Sequence, residues 1–296
     1  MSTTSLHVEP TTRCTLACPR CERTTFIDIF GKSKFTITDL NVDDFARYID
    51  VDLLSIVFGG NLGDPIYHQD FISLVQIAKQ KAKQIKIITN GAYRNNKWWN
   101  ELVSILDHND NITFSIDGTP ENFTKYRING DWASVKSAIG ICVESAASVT
   151  WKYIPFKFNE NDIEDTRALS LSMGIDNFEV HSSDRWLLED EYRPIKFIGE
   201  RDPVQTSIKR NENKQLYIDP KCATNDQHYI SAAGFYSACS YIAHYEFYYK
   251  SEWWKEINKY NIKNSKLSDH LLAFNEFYST IHDTRNPGCI FNCGKE

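Results

Sequence analysis

The chain has 296 residues, 42% of them hydrophobic, with only 13 Gly and 9 Pro, so it can bury a sizeable core without disulfides. Its formal net charge of -6 argues against a general electrostatic grip and hence against nucleic acid as a partner. The N-terminus lacks the basic and then apolar regions of a signal peptide, and no apolar run approaches the roughly 18–20 residues of a spanning helix; the expectation is a soluble, cytoplasmic protein with no membrane contact.

The first β-rich run is "LHVEPT" (6–11), and it leads into "RCTLACPRCERT" (13–24), which carries Cys14, Cys18 and Cys21. Helical periodicity follows in "DDFARYI", then a second strand, "LLSIVFGG" (53–60). The helix "DFISLVQIAKQKAK" precedes strand "IKIITNG" (85–91), and "WWNELVSILDH" precedes "ITFSIDG" (112–118). "WASVKSAIGICVESA" leads to "VTWKYIPF" (149–156), and "NDIEDTRALSLSMG" to "NFEVHSS" (177–183). Strand and helix alternating at this spacing means parallel strands with crossover helices, either doubly wound or as an incomplete (β/α) barrel. In both, chemistry collects in the loops at the C-terminal strand ends. Those loops hold the cysteine trio, "GGNLGDP", "TNG" and "SIDGTPE", where Gly admits close backbone approach and Asn, Ser and Asp orient a ligand. Four consecutive strand ends are expected to build one pocket.

From about residue 200 the pattern changes, which divides the chain into domains 1–200 and 201–296. "QLYIDPKC" and "HYISAAGFYSAC" read as a short hairpin. Aromatic-rich helical sequence follows ("YIAHYEFYYKSEWWKEI", "DHLLAFNEFYSTIHD"), then a terminal "NPGCIFNCGKE".

In a reducing compartment, clustered cysteines point to metal or redox chemistry. Three thiolates leave one iron of a 4Fe-4S cubane free to bind a ligand. A zinc site would want a fourth Cys or His in the loop, and none is there. The trio resembles the C-x3-C-x2-C motif of the radical S-adenosylmethionine (radical SAM) superfamily, and the likeness extends over about residues 5–185. That resemblance implies an α/β fold, a partial (β/α)6 TIM-type barrel, with a 4Fe-4S cluster on Cys14, Cys18 and Cys21 and S-adenosylmethionine (SAM) on its free iron. "FGGNLGDP" is similar to the region that holds the methionine amino group, which nominates Gly59, Gly60 and Asn61. "TNG" and "SIDG" resemble the third and fourth strand ends, nominating Asn90, Ser115 and Asp117; Asn159 in "FKFNEND" resembles a ribose or adenine contact. An electron from the cluster then cleaves SAM to a 5′-deoxyadenosyl radical. Two residues depart from the pattern: Arg20 stands where an aromatic is usual, and Asn61 where Glu is usual.

Cys222, Cys239, Cys289 and Cys293 are separated by 16, 49 and 3 residues. They resemble the auxiliary-cluster segment of twitch or SPASM type, a small β-hairpin plus helix domain, which implies a second 4Fe-4S cluster for electron transfer or structure. A structural zinc site uses the same four thiolates and stays open as the alternative. Cys142 lies on the apolar face of its helix and reads as a core thiol.

Arg127, Trp151, Lys152, Tyr153, His181, Ser182 and Arg185 are the polar or aromatic residues in suitable loops and strands, with Arg127, Tyr153 and His181 the catalytic candidates. The resemblance implies an oxidoreductase acting on a small molecule, with the auxiliary cluster as electron acceptor and a flavodoxin or ferredoxin as external donor. A peptide-modifying maturase working with a separate partner is the second reading, and a non-enzymatic zinc scaffold the third.

Overall fold

A computed structural model describes residues 4–183, 189–197, 217–220, 222, 227–243, 256, 258–279, 289–290 and 293–295. Arg185 and most of "YIAHYEFYYKSEWWKEI" lie outside the described residues. Its contacts divide the chain into two units: Met1–Arg13 with Thr36–Lys86 and Lys214–Glu296, and Cys14–Phe35 with Ile87–Asn213.

In the first unit, β1 (Ser5–Val8) pairs in parallel with β2 (Leu53–Phe58), Leu6 opposite Ile56 and Val8 opposite Phe58. All four of those side chains are fully buried, the pattern of a strand covered on its outer face. The helices α2 (Val42–Tyr48) and α3 (Phe71–Lys79) supply that cover, α2 starting at Asn41, whose side chain accepts from the Asp44 amide at 2.9 Å. β3 (Ala82–Thr89) begins in this unit beside β2 and ends in the other. The helical periodicity that runs through Lys83 in the sequence stops earlier here, because the Leu53 amide bonds the Lys81 carbonyl at 2.8 Å and sheet pairing overrides local helix propensity.

The other edge of β1 is taken by β8 (Gln227–Ile230), also parallel, with His7 opposite Tyr229. β8 then turns back through Ser231 into β9 (Tyr236–Ser237). The hairpin therefore lies within "HYISAAGFYSAC" rather than between that phrase and "QLYIDPKC". The latter gives β7 (Tyr217–Ile218), which pairs antiparallel with β10 (Gly294–Lys295) near the C-terminus. The helix α7 (Leu267–Ser279) completes this unit, with Leu267, His270, Phe274 and Phe277 buried.

In the second unit, β4 (Asn111–Ser115), β5 (Ser148–Tyr153) and β6 (Asn177–Val180) are parallel neighbours. The helices α4 (Asn96–Val103), α5 (Trp132–Cys142) and α6 (Ile163–Ser172) alternate with them, α5 capped by Asp131 on the amides of Ala133 and Ser134. Trp151 packs on Trp132 of α5 and on Phe178, so odd residues of β5 face the helices. Strand pairing and alternation then set Lys152, Glu179 and His181 on the opposite face. One further helix, α1 (Glu22–Phe30), follows the cysteine loop directly and buries none of its side chains. The sheet is dominated by parallel pairs, as an α/β fold requires. Among the described residues no helix is long and apolar enough to cross a membrane.

Candidate functional site

The cysteine loop of the second unit is held from several sides. The Cys21 amide bonds the Cys18 carbonyl at 3.1 Å, the Ala17 amide the Ile128 carbonyl at 3.0 Å, and the Arg23 guanidinium donates to the carbonyls of Cys14 and Leu16. Leu16 and Cys18 are buried with Tyr126 and Phe156, and Cys14, Cys21, Ala92, Phe158 and Tyr192 pack against them. Cys21 is also the N-cap of α1, so the helix that follows the loop starts at the third cysteine.

Two polar residues reach those sulfurs, and a third holds one of them in place. Asn90 at the end of β3 sends Nδ2 to 3.5 Å from Cys14 Sγ. Arg127 donates to Cys18 Sγ at 3.8 Å and pairs with Asp117 at 2.7 Å, the Asp117 side chain being 0% exposed. Asp117 also accepts from the Ile154 amide at 2.9 Å. Burial pushes the Asp117 carboxyl up and Arg127 pulls it back only in part. Burial alone would lower the Arg127 guanidinium, but Asp117 and Cys18 more than offset it and leave it raised. The Cys18 thiol is raised by burial, with Arg127 opposing and Cys21 adding to the shift.

This donor set suits a cluster. It offers three thiols on one loop, two N–H donors to sulfur and a buried cation to offset thiolate charge, the environment that tunes iron-sulfur sites. Arg127 Nε is buried without a partner among the described residues. Among those residues no three His, Cys, Asp or Glu side chains close round a single metal ion.

Other nominated residues sit differently. Ser115 ends β4 half-buried. Asn159 is fully buried and its amide is spent on its own turn, Oδ1 accepting from the Phe156 amide at 2.5 Å and Nδ2 donating to the Ile154 carbonyl at 3.2 Å. Tyr153 faces the helices, 0% exposed, and its hydroxyl donates to the Asn159 carbonyl at 2.7 Å. Neither side chain is brought to the cysteine loop, and Trp151 is core as well. His181 lies on the opposite face of the sheet, 2.9 Å from Glu179, whose part the sequence reading missed. Strict alternation of polar residues along β6 was the signal that could have found it.

In the first unit, Gly59, Gly60 and Asn61 lie on the loop after β2. A residue absent from the sequence reading, Glu9, organises that loop. Its buried carboxylate accepts from the amides of Leu62 at 2.6 Å and Gly63 at 3.2 Å, and from the Tyr229 hydroxyl at 3.0 Å. A Cβ on Gly60 would meet the Gly63 carbonyl oxygen at 2.5 Å and Glu9 at 2.9 Å, and one on Gly63 would collide with the Thr11 carbonyl. Burial raises the Glu9 carboxyl despite those donors. The same unit holds the second cysteine group. Cys239 follows the β8–β9 hairpin, and its thiol is pushed up to about 12, chiefly by burial, with Cys222 and Cys293 adding to the shift. Cys289 is buried, and Cys293 immediately precedes β10. Cys142 is a core thiol in α5, 0% exposed.

The family model described as "Radical SAM superfamily" matches residues 8–169, more than half of the chain. The chain belongs to the radical SAM superfamily. Membership carries with it a 4Fe-4S cluster and SAM. Among relatives of this radical SAM protein, a PqqA peptide cyclase of Ruegeria pomeroyi is 26% identical over 184 residues, covering 60% of this chain and 46% of that protein. A tungsten-containing aldehyde ferredoxin oxidoreductase cofactor-modifying protein of Pyrococcus furiosus is 27% identical over 115 residues, covering 39% and 31%. The chain thus spans less than half the length of these curated relatives. The solved structure of Streptococcus suis SuiB bound to S-adenosylmethionine is similar with a TM-score of 0.60 at 15% identity, covering 97% of this chain and 67% of that one. SuiB has also been solved with its precursor peptide SuiA bound. At that identity the likeness bears on fold alone, and it agrees with the α/β architecture expected of a partial barrel.

Proposed function

We propose that this chain is a radical SAM enzyme that modifies a peptide. The observation that carries the substrate class is the likeness to PqqA peptide cyclases across 60% of the chain, and it displaces the small-molecule oxidation favoured by sequence reading. When bound at Cys14, Cys18 and Cys21, the cluster supplies the electron that splits SAM into methionine and a 5′-deoxyadenosyl radical, which takes a hydrogen atom from the substrate.

The chain's own residues hold that chemistry in place. Asn90 and Arg127 stabilise sulfur charge, and Asp117 fixes Arg127. Glu9 fixes the loop that carries Gly59, Gly60 and Asn61, the residues that resemble the family's methionine-amine contacts. Ser115 stands at the carboxylate or ribose side, while Asn159 acts through the turn it closes. Lys152, Glu179 and His181 form a polar face suited to hydrogen bonding a peptide backbone, with His181 the candidate proton carrier. Cys222, Cys239, Cys289 and Cys293 would hold a second 4Fe-4S cluster in a twitch/SPASM-like segment, which would take up the electron the substrate radical loses after hydrogen abstraction, while a flavodoxin or ferredoxin would supply the electron for SAM cleavage.

Iron and sulfide analysis after anaerobic reconstitution tests both sites: about eight irons per chain is expected for two cubanes. Zinc alone would sink the reading. Replacing Cys14, Cys18 and Cys21 together by Ala should leave about four irons and abolish 5′-deoxyadenosine formation under dithionite. Persistent cleavage would mean the trio is misassigned. Short peptides encoded beside the gene, offered one at a time, should raise SAM turnover and acquire a mass change.

A further inference from the structure

Arg20 lies between the second and third cysteines of the loop, so whatever restrains its side chain restrains the loop. Its Nε is 2.6 Å from Asp190 Oδ2, and the Asp190 side chain is 0% exposed while that of Arg20 is 27% exposed. The other carboxylate oxygen of Asp190 accepts from the Tyr192 amide at 2.9 Å. The Tyr192 carbonyl accepts from the Lys157 amide at 3.1 Å, and Glu160 accepts from the amides of Ile195 and Lys196 at 3.0 and 2.8 Å. The segment after β6 is therefore pinned at both ends of Tyr192.

The Tyr192 ring is placed by those bonds. It stands edge-on to Tyr126 at 5.7 Å and to Phe156 at 6.2 Å, and it packs against the group that contains all three cysteines. The Arg20 guanidinium lies 5.9 Å above its centre. A cation over the ring, a buried carboxylate bonded to both residues and three neighbouring aromatics, Tyr126, Phe156 and Phe158, the last at 6.5 Å, leave the ring little freedom. Sequence position 20 offers no aromatic surface itself.

We propose that the Arg20–Asp190 pair is a latch that locks the cysteine loop, and that it holds Tyr192 as the aromatic wall against which the adenine of SAM stacks. Arg20 and Asp190 are positioning residues, and Tyr192 is a cofactor-contacting one. The proposal rests on the trio being the cluster site.

The test uses the reconstituted full-length chain, with three readouts: iron release to a chelator, the electron paramagnetic resonance of the reduced cluster with and without SAM, and equilibrium SAM binding. Arg20→Ala and Asp190→Asn should each release iron about tenfold faster, the factor that roughly 1.4 kcal/mol of lost loop stability corresponds to. Tyr192→Ala should keep the cluster and its reduced signal but bind SAM about tenfold more weakly, in the range set by base–aromatic stacking, whereas Tyr192→Phe should bind normally. Unchanged iron release in Arg20→Ala and Asp190→Asn would overturn the latch. Undiminished SAM binding in Tyr192→Ala, or loss of its cluster, would overturn the wall. If Arg20→Ala does not fold, the near-isosteric Asp190→Asn decides alone. A parent chain that takes up no iron would instead sink the cluster assignment itself.

Discussion

Replacing Arg127 by Met tests how the buried charges beside the cysteine loop are balanced. Arg127 is 15% exposed and Asp117 is 0% exposed, at 2.7 Å, and without Arg127 the carboxylate keeps, among the described residues, the hydrogen bond from the Ile154 amide at 2.9 Å. Breaking a buried pair from one side costs about 3–5 kcal/mol, because it leaves a charge without compensation. The remaining hydrogen bond returns about 1 kcal/mol of this, so Arg127→Met should lose about 3 kcal/mol, and Asp117→Asn a similar amount. Removing both partners removes the penalty, and the double variant should lose far less than the sum, with a coupling energy of about 3 kcal/mol. Urea unfolding of the reduced full-length chains measures all four corners of the cycle. The pH dependence has a definite sign. Burial holds the Asp117 carboxyl above its ordinary value even with Arg127 present, and losing Arg127 raises it further. A carboxyl raised on folding binds more protons folded than unfolded, so its destabilising effect is full above the raised folded value and fades as pH falls towards the unfolded one. Arg127→Met should therefore be relatively less damaged at pH 5 than at pH 8. Single losses below about 1 kcal/mol, or losses that simply add, would refute the argument.

Two further outcomes follow from the loop after β2. Glu9→Ala strands two loop amides and the Tyr229 hydroxyl, and should cost about 3 kcal/mol or more in urea unfolding, while Glu9→Gln keeps an acceptor and should cost about 1 kcal/mol. Since burial raises the Glu9 carboxyl, the parent should gain stability relative to Glu9→Gln as pH falls below that raised value, and an absence of that slope would place the proton elsewhere. Gly63→Ala puts a methyl group into the Thr11 carbonyl, so the loop must shift; SAM binding by equilibrium dialysis should weaken at least tenfold, and unchanged binding would detach the loop from the cofactor site.

The six parallel strands were legible because each is a short apolar run, four of them closed by Gly or Ser and the other two by Pro and the residue after it, and the observed strands fall on those runs. The cysteine loop was legible because spacing survives without structure. What escaped was set by partners distant in sequence. Ala82 and Lys83 carry helix-forming residue types, and only pairing with β2 makes them strand. α1 escaped because "ERTTFIDIF" buries nothing and so has no apolar stripe to read. Glu9 looks like an ordinary strand-end acid until the amides of Leu62 and Gly63 and the Tyr229 hydroxyl meet on it. Tyr153 read as a catalytic candidate because a tyrosine in a strand near the site has two possible faces, and the neighbouring Phe178 on β6 settles which one it shows, at 5.7 Å between rings. Arg20 could be read only as a departure, since Asp190 is 170 residues away.

The position of β8 beside β1 bears on how the chain is made. β1 is made long before β8, so one of its two edges stays open until residues 227–230 have followed. An unpaired edge of Leu6 and Val8 is a template for wrong pairing, and closing it late is slow because the intervening loop is long. The C-terminal region is thus no detachable accessory. A chain cut before residue 227 would keep every cysteine of the N-terminal trio and still leave one edge of β1 without its partner strand.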